Sequence, residues 1–88
     1  MNTTDHSTEA RNARNAAREM KAALDLVGSD AGKAFAAFLA ANKGEAFSAS
    51  QVGYLAGIES AHDLGHAFGL IRSVRIGWRA GSRTFSAF

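Results

Sequence analysis

The sequence contains no cysteine and no proline. Without cysteine the chain has no disulfide bond, no thiolate ligand for a metal and no thiol nucleophile. Proline has no backbone N–H and breaks helices and strands, so its absence means that no predicted element is interrupted in this way. The sequence also has no apolar run long enough to span a membrane and no basic-then-apolar leader at its start. We therefore expect a cytoplasmic protein with no membrane partner.

Large apolar side chains are scarce, because much of the 47% apolar content is alanine. The bulky candidates for a core are six Phe, one Trp, one Tyr, two Met and a small set of Leu, Ile and Val. A domain of this size buries only about 60–65% of its unfolded surface, so we expect modest stability. Length and composition predict an ordinary globular protein that would gain from a partner subunit.

Charge is unevenly distributed, although the net charge is only +2. Residues 1–27 carry four basic and four acidic groups, and residues 28–71 carry two Lys against four acidic residues. Residues 72–88 carry four arginines and no acidic residue. These arginines are Arg72, Arg75, Arg79 and Arg83. Such a concentration of positive charge indicates a polyanionic partner.

The N-terminal segment predicts one long helix from about Thr8 to Val27, with Gly28 at the usual glycine stop position. The polar residues before it, from Asn2 to about Ser7, predict a frayed end. Spacings of three and four predict one packed face, formed by Ala13, Ala16, Ala17, Met20, Leu24 and Val27. The opposite face carries Arg11, Arg14, Arg18 and Lys21. We interpret the basic face as solvated, and contact with nucleic-acid phosphates is the alternative interpretation. The alanine-rich face is a candidate for pairing with another chain.

Three shorter helices follow, each opened by polar residues that favour helix starts. These residues are Ser29 with Asp30, Ser48 with Gln51, and Ser60 with Asp63. The second helix ends at Asn42–Gly44 and the third at Gly57. The predicted inward positions are Ala31, Ala34, Phe35, Phe38, Leu39, Phe47, Val52, Leu55, Ile58, Leu64, Phe68 and Ile71.

After the fourth helix the apolar period changes to two, which predicts a β-hairpin. Val74, Ile76 and Trp78 alternate with polar or small residues, residues 80–82 predict a turn, and residues 83–86 predict the returning strand. We expect Trp78 to clamp this hairpin to the helices, and regard base stacking as the less favoured alternative.

The order of helix, helix-turn-helix and β-hairpin resembles the winged helix-turn-helix family of DNA-binding domains. The resemblance covers residues 29–88, and residues 1–28 form an extra N-terminal amphipathic helix for dimerisation or packing. The residues that carry it are Phe47, Ser48, Val52, Leu55, Gly57, Ile58, Leu64, Phe68, Ile71 and the hairpin at 74–86. We therefore expect a mainly α fold with a small C-terminal β-hairpin. The interval from Ile58 to Leu64 is one residue longer than in the commonest helix-turn-helix spacing.

In this family the last helix enters the major groove, and the wing contacts the backbone or minor groove. The resemblance implies a recognition helix at about 61–73 and an arginine-bearing wing at about 74–86. The outward residues it implies are Ala61, His62, Gly65, His66, Gly69, Arg72 and Ser73. The candidate DNA-binding residues are His62, His66, Arg72, Arg75, Arg79 and Arg83. Because this helix offers few strong base readers, we expect most of the affinity from the wing.

His62 and His66 have the four-residue spacing with which two imidazoles can share a metal. A complete site needs further ligands, but Asp63 points to another face and His6 is distant in sequence. We interpret the pair as surface histidines, and a pH-sensitive patch is a weaker alternative. The sequence also has no nucleophile motif and no phosphate-binding glycine loop. We therefore expect no metal, no cofactor and no enzymatic activity.

The leading functional hypothesis is a small transcriptional regulator, such as a repressor, that binds double-stranded DNA as a homodimer. The alternative is a phage- or mobile-element-encoded winged-helix protein that acts through protein contact, for example by inhibiting a host CRISPR-type defence complex. The near-neutral outward face of the fourth helix favours that alternative. A third hypothesis is sequence-independent, architectural DNA binding, which suits an arginine wing beside a helix with few base readers.

Overall fold

The computed structural model describes residues 3–88, with side chains from Ala10 onward. Within these residues, four helices accompany a small three-stranded antiparallel sheet. The helices are α1 (Thr3–Val27), α2 (Asp30–Ala41), α3 (Ala49–Ala56) and α4 (Ala61–Ile71). The strands are β1 (Phe47–Ser48), β2 (Arg75–Arg79) and β3 (Ser82–Ser86). The predictions of a mainly helical chain and of a C-terminal hairpin are confirmed. None of the helices in residues 3–88 is long and apolar enough to cross a membrane.

The sheet has one strand more than the predicted hairpin. β1 pairs antiparallel with β3, so that the strand order is β1-β3-β2. Phe47 lies opposite Phe85, and Ser48 lies opposite Thr84. The sequence predicted no strand here, because two residues are too few to show an alternating pattern. This pairing ties the start of α3 to the hairpin.

The hairpin turn consists of Ala80 and Gly81, whose φ angles of +51° and +82° are those of a type I′ turn. It is one residue shorter than the predicted turn, because Ser82 already pairs with Arg79 as the first residue of β3. Two-residue turns of this type match the right-handed twist of the flanking strands. The turn fixes the register of every cross-strand pair behind it, beginning with Trp78 opposite Arg83.

Aromatic rings from three elements form the centre of the core. Phe35 of α2 stacks on Phe68 of α4 with their ring centroids 4.9 Å apart, and meets Phe85 of β3 edge-on at 5.8 Å. Such ring pairs add about 0.5–1.5 kcal/mol to the apolar burial itself. The other buried members of this core are Leu39, Val52, Ile58, Ala61, Leu64 and Val74.

The predicted caps are confirmed at two of the three helix starts. Ser29 Oγ accepts a hydrogen bond of 3.1 Å from the Gly32 amide at the start of α2. Ser48 and Gln51 form the predicted reciprocal capping box at α3. The cap predicted at the third start, Ser60 with Asp63 at α4, was wrong. Ser60 has ψ +26° instead of the extended backbone of a capping residue, and its side chain makes no cap hydrogen bond.

α1 differs from its prediction in its start and in its packed face. It begins at Thr3 instead of Thr8, so that residues 3–7 are helical and not frayed, while Asn2 lies outside the described residues. α1 packs chiefly along α4 and buries Ala23, with Leu26 and Val27 half-buried. Other members of the predicted face are exposed, namely Ala13, Ala16, Ala17, Met20 and Leu24. The small side chain of Ala23 allows α1 to pack closely on α4. The bulkier Met20 and Leu24 then lie on the exposed side of α1.

Two further inward positions were wrong. Ala34 is exposed on α2, and Leu55 is 57% exposed on α3. The packed side of α3 runs through Ala49, Val52 and Ala56, at spacings of three and four. In a helix of only eight residues, a face that includes Leu55 and a face that includes Ala49 fit the spacing equally well. The pairing of β1 with β3 favours the face that includes Ala49.

Candidate nucleic-acid interface

α4 lies between α1 and the hairpin. On one side, Glu19 Oε1 of α1 is 3.5 Å from His66 Nε2. On the other side, the hairpin reaches α4 at its glycines, since a Cβ added to Gly65 would lie 3.0 Å from the Phe85 ring. The exposed residues of α4 are therefore confined to His62, Asp63 and His66.

The predicted outward face of the fourth helix is thus only partly correct. His62, His66, Arg72 and Ser73 are exposed as predicted. Ala61 and Gly65 are buried and Gly69 is half-buried, because the core and the hairpin cover them. The covered residues carry no base-reading side chain, so the candidate base readers of this helix remain as few as the sequence predicted.

A first groove, of about 400 Å³, runs between the start of α3, the exposed strip of α4 and the hairpin. Its polar residues come from all three elements, and Ser50 Oγ is hydrogen-bonded to His62 Nε2 at 3.1 Å. The lining residues are Ser48, Ala49, Ser50, His62, Gly65, His66, Ser82, Arg83 and Phe85. Among these described residues there is no carboxylate, although Glu19 of α1 reaches His66 at the edge.

A second groove, of about 440 Å³, lies beside the first and is lined by the end of α4, both hairpin strands and Phe88. It combines an apolar floor with basic side chains. The lining residues are Gly69, Arg72, Val74, Arg75, Ile76, Trp78, Arg83 and Phe88. Arg72 ends α4 with a left-handed backbone (φ +59°), so that the chain leaves the helix and turns toward β2 at this groove.

Arg83 borders both grooves. Its guanidinium carbon lies 5.6 Å from the centroid of the Trp78 ring, within the range of a cation–π contact. On its other side it approaches α4, where a Cβ added to Gly69 would lie 2.9 Å from Arg83 Nη1. Gly69 therefore provides the space in which this guanidinium lies between the hairpin and the helix.

The arginines of the hairpin separate onto two faces. Side chains alternate along a strand, so Ile76, Trp78, Arg83 and Phe85 project toward α4 and the core. Arg75 and Arg79 project from the opposite face of the sheet, although Arg75 also borders the second groove. Of the four predicted arginines, Arg72 and Arg83 are thus together at the grooves, and Arg79 is not.

Comparisons with known proteins give no match. No family model matches this chain, and neither does a curated protein or a solved structure. The interpretation of the grooves therefore depends on their own geometry and chemistry.

The predicted role of Trp78 was wrong. The residue is 69% exposed, so it does not clamp the hairpin to the helices; buried Phe85 does so, through Phe35 and Gly65. Apolar alternation placed Trp78 on the inward face correctly, but there it lines the open second groove beside the end of α4 and is not covered. Sequence reasoning also did not identify the groove residues Ser50, Ser82 and Phe88.

His62 and His66 do not converge on a common point. His62 is paired with Ser50 on α3, and His66 with Glu19 on α1. Across the described residues, no group of three or more His, Asp or Glu is arranged to hold a metal ion. The two histidines instead contribute separate polar contacts along the first groove.

Proposed function

We propose that residues 29–88 form a winged helix-turn-helix domain that binds double-stranded DNA. Two features support the winged-helix assignment. The chain order α2-β1-α3-α4-β2-β3 and the strand order β1-β3-β2 resemble those of this family. In this proposal α4 and the residues up to Ser73 are the recognition helix, and the β2–β3 hairpin is the wing.

The position of Arg83 carries the DNA-binding proposal. Its guanidinium lies where the two grooves meet, with Arg72 in the second groove and His62 and His66 in the first. A DNA strand along these grooves would bring successive phosphates to basic or hydrogen-bonding groups. The Arg83 side chain already lies between the Trp78 ring and Gly69. It therefore loses little conformational entropy when it binds a phosphate.

The same geometry favours affinity over base reading. The exposed strip of α4 carries two histidines and one aspartate, of which only Asp63, as an acceptor for cytosine, matches a pairing of direct readout. Arg72 and the serines of the first groove are suited to phosphate contacts. We therefore propose binding that is mainly electrostatic with modest sequence preference, in a transcriptional regulator or an architectural protein.

The test is a gel-shift assay with random genomic duplex at low and at physiological salt. We expect retardation that weakens steeply as salt rises, since log K falls by about 0.9 per log unit of salt for each phosphate neutralised. Changing Arg72 and Arg83 together to Ala should weaken binding at least tenfold, at about 1.5 kcal/mol or more for a charged hydrogen bond. Binding that is insensitive to salt, or no binding to any duplex, would overturn the proposal.

A matched variant separates position from charge. Changing Lys43 and Arg79 together to Ala also removes two positive charges, but neither residue lines the two grooves. We expect this variant to bind within about threefold of the original chain, because unspecific charge effects are screened over about 10 Å at 0.1 M salt. Equal losses in the two double variants would show that only net charge matters, and would remove the grooves from the proposal.

We further propose that the protein acts as a homodimer through α1. Leu24, 55% exposed, and Met20, 40% exposed, extend an apolar stripe with Ala13 and Ala17 along the exposed side of α1. Dimers are common among helix-turn-helix proteins because they read two half-sites. Light scattering tests this: a mass near twice 9.2 kDa is expected, and Leu24→Glu should shift it toward the monomer.

A protein-binding function is the second candidate, and one observation favours it. Tyr54 is 88% exposed beside Leu55 on α3, and large exposed apolar residues side by side are more typical of a protein contact than of a phosphate contact. A winged-helix protein that inhibits a host defence complex would use such a surface. If no duplex is bound, capture of a purified nucleoprotein complex that is lost in Tyr54→Ala would support this candidate.

A further inference from the structure

Trp78 is the only tryptophan of the chain, and most of its side chain is exposed at the second groove. An indole normally buries its large apolar surface unless it contacts a ligand or partner. Here one ring face is occupied by the Arg83 guanidinium. Trp78 as a residue is 69% exposed, so its other ring face is open to a flat ligand.

The surroundings of Trp78 indicate the chemistry of that ligand. The floor of the groove is apolar, formed by Val74 and Ile76, and exposed Phe88 supplies a second aromatic ring. Arg72 and Arg83 stand at the same groove, and residues 72–88 contain no acidic residue. A ligand complementary to this groove has a flat, weakly polar part beside a negative charge. A nucleobase with its flanking phosphates has both properties.

We propose that the Trp78 groove binds an unpaired base of a DNA strand, so that the protein prefers DNA with a single-stranded end over a fully paired duplex. In a duplex the faces of the bases are covered by their neighbours, except for the outer face of each terminal pair, whereas an unpaired base is free to enter the groove and stack on the indole. Aromatic side chains with nearby arginines form such stacking sites in single-strand binding proteins. The inference rests on the proposed DNA-binding function and adds a preferred form of DNA to it.

The fluorescence of Trp78 reports the contact directly, because no other tryptophan contributes. The chain is titrated with oligothymidine of about eight nucleotides, a length within known single-strand site sizes. It is also titrated with a blunt duplex of about two helical turns and with the same duplex carrying a short thymidine overhang. We expect saturable quenching by the single strand and by the overhang. The overhang should bind about tenfold more tightly than the blunt duplex, within the range measured for one stacked base.

Three variants test whether stacking is the cause. Trp78→Ala should abolish the preference for the overhang, read as the ratio of overhang to blunt-duplex affinity, because the loss of the Arg83 contact weakens binding to both duplexes alike. Trp78→Phe should keep part of this preference, and both variants are followed by fluorescence polarisation of labelled DNA. Arg79→Ala, next in sequence but on the other face of the hairpin, should leave the preference intact. Thermal unfolding of each variant checks that the fold is kept, as expected for a side chain this exposed.

The outcomes separate this inference from the proposed function. Equal binding of blunt and overhang duplexes, with no quenching, would overturn the inference and leave DNA binding standing. No binding of either duplex or of the single strand would overturn both. Quenching by a polyglutamate peptide that also displaces the oligothymidine would assign the groove to acidic polypeptides, and would overturn base stacking.

Discussion

The two faces of the β2–β3 hairpin differ in what surrounds their side chains. On the face toward α4, Phe85 is buried and Arg83 lies between Trp78 and Gly69. On the opposite face, Arg79 is exposed and stands beside the small polar residues Ser82 and Thr84. Arginines that are equivalent by charge are therefore unequal by position. Substitutions on one face and then on the other can test whether this inequality matters.

The largest expected effect is on stability, at Phe85. Phe85→Ala removes a buried ring that packs on Phe35 and on Gly65, and should lower the free energy of unfolding by about 3–5 kcal/mol. Urea unfolding followed by circular dichroism measures the change. Phe88→Ala removes the same side chain where it is exposed, and should cost less than about 0.5 kcal/mol. Similar losses at both sites would mean that the hairpin does not anchor to the core through Phe85.

Alanine substitutions at the two glycines of α4 should change the unfolding free energy in opposite directions. In Gly65→Ala, the new Cβ would lie 3.0 Å from the Phe85 ring and 3.2 Å from Ala49 Cβ; we expect a loss of about 1–2 kcal/mol in unfolding free energy. In Gly69→Ala, the close neighbour is the end of a flexible side chain, so the helix should gain about 0.5–1 kcal/mol. Because Arg83 must then move, Gly69→Ala should also weaken DNA binding. Unfolding and gel-shift assays on the same samples check both; a Gly69→Ala variant with unchanged DNA affinity would contradict the role of Arg83.

A charge-conserving change tests the comparison between the arginines. Arg83→Lys keeps the positive charge but loses the planar group that lies over Trp78, and should weaken DNA binding about tenfold. Arg79→Lys should leave the affinity unchanged, since no stacking contact is lost. Binding is measured by fluorescence polarisation at physiological salt. If lysine serves equally well at both positions, Arg83 contributes only charge.

The smallest expected effect is at the turn that joins the two faces. Ala80 has φ +51°, a conformation that asparagine adopts more readily than alanine and that precedes Gly81 in a type I′ turn. Ala80→Asn should raise the unfolding free energy by about 0.5–1 kcal/mol, and the melting temperature by about 4 °C. DNA affinity should not change, because neither face of the hairpin is altered. A loss of stability would contradict the turn geometry.

Local signals in the sequence predicted most of the elements. Ser48 with Gln51 and the glycine after α3 fixed that helix to within a residue, because caps act over three or four positions. β1 was missed because its two residues become a strand only by pairing with Phe85 and Thr84, far along the chain. The face of α1 was missed for a similar reason. Alanines surround that helix, and its contact with α4 decides which of them is buried.

The arginines of the candidate site were predictable from the sequence, but the arrangement of the site was not. Arg72 and Arg83 were identified from charge alone, and both line the grooves. The separation of Arg79 from Arg83 depends on the hairpin register, which a two-residue turn sets and a three-residue turn would shift. The exposure of Trp78 depends on the groove that stays open between the hairpin and the end of α4, and no local pattern encodes that tertiary arrangement.

The length of α1 affects how this molecule moves through solution. The structure measures 54 × 29 × 21 Å, and its radius of gyration is 15.7 Å, against about 12 Å for an average compact chain of 88 residues. An elongated particle diffuses more slowly than a sphere of equal mass. On a size-exclusion column calibrated with spherical standards, even a monomer would therefore elute early and resemble a dimer.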